Sequence, residues 1–256
     1  IRGLIVTGVQ TCALPIYFRL RLNPFAIEIG QLVLIEGDEK LIGTGVAAAG
    51  DGGWDISGDL SLNQIGKDRL LGFWPVTLAP LTRDWLITNF QAGTLTDVTG
   101  AVRLKPGQDL RGSLGFRFQD GAFRYITSQP KIENAAGYGI IDGKVFTLVF
   151  ENGTVTAPIG GLIDVTGSVL QVPDITASPT RAEISLVIKS AATATLSLLD
   201  EPPFNILRRT GYGPDLAEGR AEFTVEIGFD LIEDNATEDV TYSAVEIGRA
   251  SCRERV

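Results

Sequence analysis

Carboxylates are the only side chains in this sequence whose number and spacing could support catalysis. The chain has 31 Asp and Glu residues against 22 Lys and Arg, no histidine, and two cysteines, Cys12 and Cys252. Without histidine, neither a Ser-His-Asp nor a Cys-His arrangement can be built, and the commonest zinc ligand is missing. What remains is the chemistry of paired carboxylates, of which glycoside hydrolysis is the chief form.

The placement of the acids argues against such a pair. Along Ala221–Leu231, for example, Glu222, Glu226 and Asp230 alternate with apolar residues, as on the solvated face of a strand. We therefore expect no enzyme activity, no cofactor and no metal. A carbohydrate-active β-protein working through two carboxylates remains an alternative, and a non-catalytic structural or adhesin β-domain is another.

Nucleotide and nucleic-acid binding are disfavoured as well. The glycines of GTGVAAAG (43–50) do not match a dinucleotide fingerprint, and no Walker motif follows any apparent strand. The formal net charge of −9 disfavours a polyanionic partner.

Period-two alternation of apolar and polar residues dominates the chain and predicts strands with one apolar face. It occurs in Phe18–Leu22, Trp54–Leu62, Ser113–Phe118, Glu183–Ile188 and Ala221–Leu231. Turn-forming pairs separate such segments and predict hairpins; they are Gly37-Asp38, Gly52-Gly53, Pro106-Gly107, Asp120-Gly121, Asp142-Gly143 and Asn152-Gly153. The expected fold is mainly β, an extended curled antiparallel sheet, or β-groove, with a few short helices.

The organisation along the chain follows from where this alternation is interrupted. Residues 17–64 are predicted to form upstream strands of the groove and residues 93–245 its main region. Residues 65–92 form a helical element, because Gly66–Trp74 and Pro80–Phe90 have helical spacing. A further short helix is predicted over Ser190–Leu199, where prolines follow.

The two ends, residues 1–16 and 246–256, are expected not to belong to the native protein. Val6–Ile16 and Glu246–Val256 resemble in-frame translations of sequencing adapters that flank assembled metagenomic fragments. Both cysteines lie in these ends, and the chain contains no methionine. We therefore expect the sequence to be an internal piece of a longer protein.

Four aromatic residues of two neighbouring strands could share one side of a sheet. Phe116, Phe118, Phe123 and Tyr125 could bind a ligand there, but spacing alone favours an ordinary core.

A family resemblance shifts that balance. The segment Pro80–Leu104, with Thr-Arg-Asp-Trp-Leu at 82–86 leading through Gly93 into a strand, resembles the central region of the AsmA-like envelope proteins of Gram-negative bacteria, in particular their YhdP-like branch. Phe123-x-Tyr125 with Pro130, the Asp142-Gly143 hairpin and Pro202-Pro203-Phe204 are also similar. The resemblance covers roughly residues 73–231. Ser128-Gln129-Pro130 departs from it, because family members often have a Trp-Pro pair there.

The resemblance implies an apolar β-groove that shields phospholipid acyl chains during transport between the inner and outer membranes and supports envelope integrity. The chain would be the periplasmic part of a protein anchored in the inner membrane, with the anchor outside this piece. Its partners would be phospholipid and envelope components of both membranes. Candidate groove residues are Leu114, Phe116, Phe118, Phe123, Tyr125, Leu186, Phe223, Val225 and Ile227.

Overall fold

The structure is a computed structural model that describes residues 12–73, 80–124, 128–202, 204–208, 211–230, 241–246 and 251–252. Its strands are β1 (Cys12–Leu22), β2 (Phe25–Glu36), β3 (Glu39–Gly50), β4 (Gly53–Gly66), β5 (Phe90–Leu104), β6 (Arg111–Phe123), β7 (Ile132–Asp142), β8 (Val145–Thr156), β9 (Leu162–Asp164), β10 (Val169–Val172), β11 (Arg181–Ala191), β12 (Ala217–Glu218), β13 (Arg220–Asp230), β14 (Thr241–Glu246) and β15 (Ser251–Cys252). The helices are α1 (Lys67–Phe73), α2 (Pro80–Asn89), α3 (Ala192–Leu199) and a 3₁₀ turn, Pro214–Leu216.

Thirteen of these strands form one antiparallel sheet. Neighbours follow the order β1-β2-β3-β4-β5-β6-β7-β8-β10-β11-β13-β14, and β9 pairs with both β8 and β11. The short strands β12 and β15 pair with each other. The prediction of a mainly β fold, with an antiparallel sheet and a few short helices, is confirmed.

Four predicted hairpin turns contain glycine in a left-handed backbone. Gly37, Gly53, Gly107 and Gly143 all have positive φ, between +57° and +120°. Such angles are strained for residues that carry a Cβ atom. Glycine at these positions therefore allows the chain to reverse between successive strands.

Two predicted turns are wrong. Asp120-Gly121 lies inside β6 and Asn152-Gly153 lies inside β8. A Cβ atom at Gly121 would come within 2.6 Å of the Phe123 ring and 3.0 Å of the Ala135 carbonyl oxygen. The glycine thus permits close packing within the sheet, not a chain reversal.

Helices occur at all three predicted places. α1 and α2 lie within Gly66–Trp74 and Pro80–Phe90. α3 begins at Ala192, two residues after the predicted start, because Ser190 and Ala191 still pair with β13.

The described chain divides into two compact units. Unit 1 comprises residues of Ile1–Ile65 and Thr96–Phe116, and unit 2 those of Gly66–Leu95 and Arg117–Val256. This division does not follow the expected boundary at residue 93, because β5 and β6 each contribute one part to either unit. Most buried hydrophobic residues belong to unit 2, while the described part of unit 1 has only Ala26, Val33, Ile65 and Val98.

Asp164 contributes a pH-dependent interaction to unit 2. Burial raises the pKa of this carboxyl, but hydrogen bonds from Thr166 and the charge of Lys189 outweigh that effect, so the pKa lies below its ordinary value. The Thr166 amide donates to Asp164 Oδ1 over 2.8 Å. Because the folded pKa is lower than the unfolded value of about 3.9, the stabilisation is full above about pH 5 and is lost as the pH falls through the folded pKa.

We expect Asp164→Asn to lower the free energy of unfolding more at pH 7 than at pH 3. Urea denaturation of both proteins at the two pH values measures this difference. Thr166→Val removes one of the hydrogen bonds and should reproduce part of the effect. An equal effect of Asp164→Asn at both pH values would contradict the assignment.

Candidate functional site

One face of the sheet in unit 1 is apolar across four neighbouring strands. Cross-strand partners project to the same side of an antiparallel sheet, so the register defines the face. Leu20, Ile27, Ala47 and Ile56 form one row of partners across β1–β4. We call this side the apolar face; its other members are Phe18, Leu22, Phe25, Ile29, Leu32, Leu34, Leu41, Gly43, Gly45, Ala49, Trp54, Gly58, Leu60 and Leu62.

The apolar face is uncovered. Phe18 is 67% exposed, Leu22 77%, Trp54 47% and Leu60 43%, and no member is buried. The ring of Phe25 packs edge-on against Trp54 with centroids 6.1 Å apart, so these side chains are in contact with one another yet remain open to solvent. Contiguous apolar patches of this kind are unusual on soluble monomeric proteins and mark interaction surfaces.

The opposite side of the same strands, the charged face, holds the ionic groups. Arg21 pairs with Glu28 at 2.5 Å on neighbouring strands. Asp59 pairs with Arg103 at 2.7 Å, and Asp55 with Lys105 at 2.8 Å. Glu36 and Glu39, which are partners at the end of the β2–β3 hairpin, are the charged residues that the register places on the side of the apolar face.

A depression lies where β3, β4, β5 and β6 run side by side. It has about 310 Å³ of free volume, and it is lined by Gly58, Leu60, Gly100, Val102 and Leu114 together with Thr44, Asp59, Ala101 and Ser113. Of the nine candidate groove residues, Leu114 is therefore the one that lines an open space here. Phe116 is half-buried at the end of unit 1.

Two candidates, Phe118 and Phe123, belong to a closed aromatic core in unit 2. Phe123 stacks on Phe90 with ring centroids 4.9 Å apart, and Phe118 and Phe150 meet it edge-on at 5.6 Å each. All four side chains are at least 93% buried. Spacing alone predicts an ordinary core for these two residues, and their burial fits that prediction better than it fits an open groove.

Four further candidates are covered by α3 or packed beside it. Leu186, Val225 and Ile227 are buried, and together with Leu198 of α3 they line a cavity of only about 10 Å³. That is about the space of one water molecule, not of an alkyl chain. Phe223 is half-buried against Ala192, Ala217 and Ala221. The expectation of an open groove over these residues is corrected, because α3 already occupies the space above them.

Hydrogen bonds from a second segment help to close this cavity. Gln129, which lines it, is 4% exposed. Its Nε2 donates to the Pro202 carbonyl oxygen over 2.8 Å, and Ser128 Oγ donates to the same oxygen over 2.7 Å. The ninth candidate, Tyr125, lies outside the described residues.

The nine candidate groove residues include none from β1–β4, although these strands show the same alternation of apolar and polar residues. FRLRL and WDISGDLSL alternate as strictly as the segments of unit 2, and residues 17–64 were expected to be groove strands. What distinguishes β1–β4 is that no apolar helix such as α3 lies between these strands in the sequence. That feature could have singled them out.

No family model, no curated protein and no solved structure matches this chain. Within the described ranges, no helix is long and apolar enough to cross a membrane. The same ranges contain no cluster of three or more acidic, cysteine or histidine side chains placed to hold a metal ion.

Proposed function

We propose that this chain is a segment of an AsmA-like protein that spans the periplasm and shields phospholipid acyl chains on the apolar face of unit 1 as they pass between the inner and outer membranes. The observation that supports the proposal is an apolar face, four strands wide, that nothing in the described chain covers. Arg21, Glu28, Asp55 and Asp59 of the same strands form ion pairs on the opposite side. Such a surface needs no catalytic residue, cofactor or nucleotide.

The magnitude of the hydrophobic effect makes such a surface useful. A phospholipid has about 30 acyl methylenes, and exposing each to water costs about 0.8 kcal/mol, so crossing an aqueous space costs on the order of 20–25 kcal/mol. A continuous apolar face in contact with the chains removes much of that barrier.

The setting of the proposal comes from the resemblance of Pro80–Leu104 and the elements that follow it. It comprises the periplasmic location, the anchor in the inner membrane, the contact with envelope components of both membranes and the role in envelope integrity. The acyl-chain surface itself is argued from burial and register alone. The two parts of the proposal can therefore be tested separately.

A matched pair of substitutions tests the acyl-chain surface. Leu60 and Val46 are similarly exposed, 43% and 39%, but Leu60 belongs to the apolar face and Val46 to the charged face. Leu60→Glu places a carboxylate where acyl chains would lie, and an unpaired charge in hydrocarbon is strongly unfavourable. We expect Leu60→Glu to lower labelling by a phospholipid with a photoreactive acyl chain about tenfold or more, a loss of about 1.4 kcal/mol or more. Val46→Glu should leave labelling unchanged.

Labelling is read by mass spectrometry of the digested chain, after circular dichroism has shown that each variant is folded. Equal labelling of both variants, or no labelling of any peptide of unit 1, would refute the acyl-chain surface.

A structural β-domain is the second candidate, because unit 2 has the dry, packed core that such a domain requires. Phe118, Phe123 and Ile188 are each at least 93% buried. If the chain is only a scaffold, phospholipid will label neither unit. A second copy of the chain will instead cover the apolar face, and sedimentation will show a dimer that Leu60→Glu dissociates.

A further inference from the structure

The loop that joins β8 to β9 presents two large aliphatic side chains to solvent. Ile159 is 56% exposed and Leu162 63%, and the three residues beside or between them are exposed as well. We call residues 158–162 the aliphatic loop. Single apolar residues on a surface need no explanation, but two of this size in one short loop form an apolar projection.

Hydrogen bonds fix the backbone of the aliphatic loop. The Ile159 amide donates to Ser197 Oγ of α3 over 3.2 Å, and that hydroxyl donates to the Ile159 carbonyl oxygen over 2.8 Å. The Ala157 amide donates to the Gly161 carbonyl oxygen over 3.0 Å and closes the turn. Because the backbone is already ordered, binding through this loop costs little further conformational entropy.

Strand alternation directs Leu162 outward. Leu162 lies opposite Thr156 in the β8–β9 pair, and the next pair, Ile163 with Val155, is at least 99% buried. Successive side chains of a strand point to opposite faces. Leu162 therefore lies on the outer side of the hairpin, next to the exposed turn that carries Ile159.

The aliphatic loop is uncharged. The sequence has no ionisable residue from Asn152 to Ile163, and α3, which holds the loop, has none either. The first charge after the loop is Asp164, whose cross-strand partner is Lys189. An uncharged aliphatic projection with charged residues behind it suits the boundary between lipid headgroups and acyl chains, where binding strength follows the apolar area buried.

We propose that the aliphatic loop docks unit 2 on a bilayer surface, with Ile159 and Leu162 inserted among the lipids. A Cβ atom at Gly161 would have no atom within 4 Å, so the loop projects and offers no groove to a small ligand. A fluid bilayer adapts to a projection, whereas a protein partner would need a matching pocket. The net charge of −9 disfavours an anionic surface, so the expected partner is a bilayer of uncharged phospholipids. The acyl-chain surface of unit 1 is not needed for this docking.

Flotation of the full chain with vesicles of equal parts phosphatidylcholine and phosphatidylethanolamine tests the docking. Leu60→Glu is the starting chain, because it weakens contact of unit 1 with acyl chains. Adding Ile159→Ser and Leu162→Ser together removes the aliphatic groups that would be buried in lipid. We expect the lipid concentration for half-maximal flotation to rise about tenfold or more, a change of about 1.4 kcal/mol or more.

Leu110→Ser is the matched control. Leu110 is 63% exposed, as Leu162 is, but it stands between Asp109 and Arg111. We expect this variant to float like the starting chain. Circular dichroism shows that each variant is folded.

Tryptophan at the same two positions gives a local readout. On addition of vesicles, the emission of Leu162→Trp should shift to shorter wavelength, because indole favours the membrane interface, while that of Leu110→Trp should not. The native tryptophans are common to both variants and cancel in the comparison.

The outcomes separate the docking from the proposed function. Unchanged flotation after the two serine exchanges, an equal loss in Leu110→Ser, or no flotation of the starting chain would overturn the docking. So would self-association that the serine exchanges abolish without changing flotation, because the loop would then bind a second copy. Each of these results leaves the acyl-chain surface standing, since that surface is read from labelled peptides of unit 1. Equal labelling of Leu60→Glu and Val46→Glu would refute the acyl-chain surface and leave the docking standing.

Discussion

Truncation of Phe118 to alanine is expected to destabilise the protein by about 3–5 kcal/mol, the usual loss for a buried phenylalanine. Phe118 is 3% exposed and meets both Phe123 and Phe150 edge-on. Its removal takes a large apolar group from the core and leaves a cavity that its aromatic neighbours can fill only in part. Chemical denaturation followed by circular dichroism measures the change.

Phe18→Ala is the matched control on the apolar face. Phe18 is 67% exposed, so its truncation should change the free energy of unfolding by no more than about 0.5 kcal/mol. A loss at Phe18 as large as that at Phe118 would mean that the apolar face is covered in solution. Repeating the measurement over a range of protein concentrations would show whether a second copy covers it.

The strands of this fold could be predicted because alternation depends only on neighbouring residues. Glu183–Ile188 and Phe18–Leu22 both place apolar side chains on one face, and both form strands. The same pattern does not say what lies over that face. Leu186 is buried while Leu20 is 50% exposed, although the two segments are indistinguishable by spacing.

The cover over Leu186 is formed by residues distant from it in the sequence. Leu198 of α3, Phe204 and Gln129 line the same small cavity, and no local rule brings them together. One signal was available. α3 contains no charged residue, and a helix without a polar face is usually buried on more than one side. Its presence indicated that part of the expected groove would be closed.

The candidate site was likewise predictable only in part. Leu114 could be named from its strand, but the depression beside it is lined by residues of β3, β4 and β5 that become its neighbours only when the sheet forms. The same limit applies to Asp120-Gly121. The pair forms part of a strand and not a turn because Gly121 packs closely against Ala135 of the next strand, and the sequence does not show that contact.

The closure of unit 2 by α3 leads to a second large effect. Gly160 has φ of +96°, and a Cβ atom there would lie 2.6 Å from the Ala194 nitrogen and 2.8 Å from its Cα. The same loop holds α3 through Ser197, whose Oγ donates to the Ile159 carbonyl oxygen over 2.8 Å. Gly160→Ala therefore combines backbone strain of about 1–2 kcal/mol with overpacking of about 1–3 kcal/mol. We expect a total loss of about 2–5 kcal/mol.

Gly161→Ala separates the two contributions, because Gly161 has nearly the same φ, +98°, but no atom within 4 Å of the added Cβ. It should lose only the strain, about 1–2 kcal/mol. The difference between the two variants, measured by chemical denaturation, is then the free energy of pressing α3 away from Leu186, Val225 and Ile227. Gly160→Ala should also bind a hydrophobic dye more strongly than Gly161→Ala, since the strip beneath α3 becomes accessible. Equal losses and equal dye binding would mean that α3 does not rest on this glycine, and that the strip is closed by the segment containing Gln129 instead.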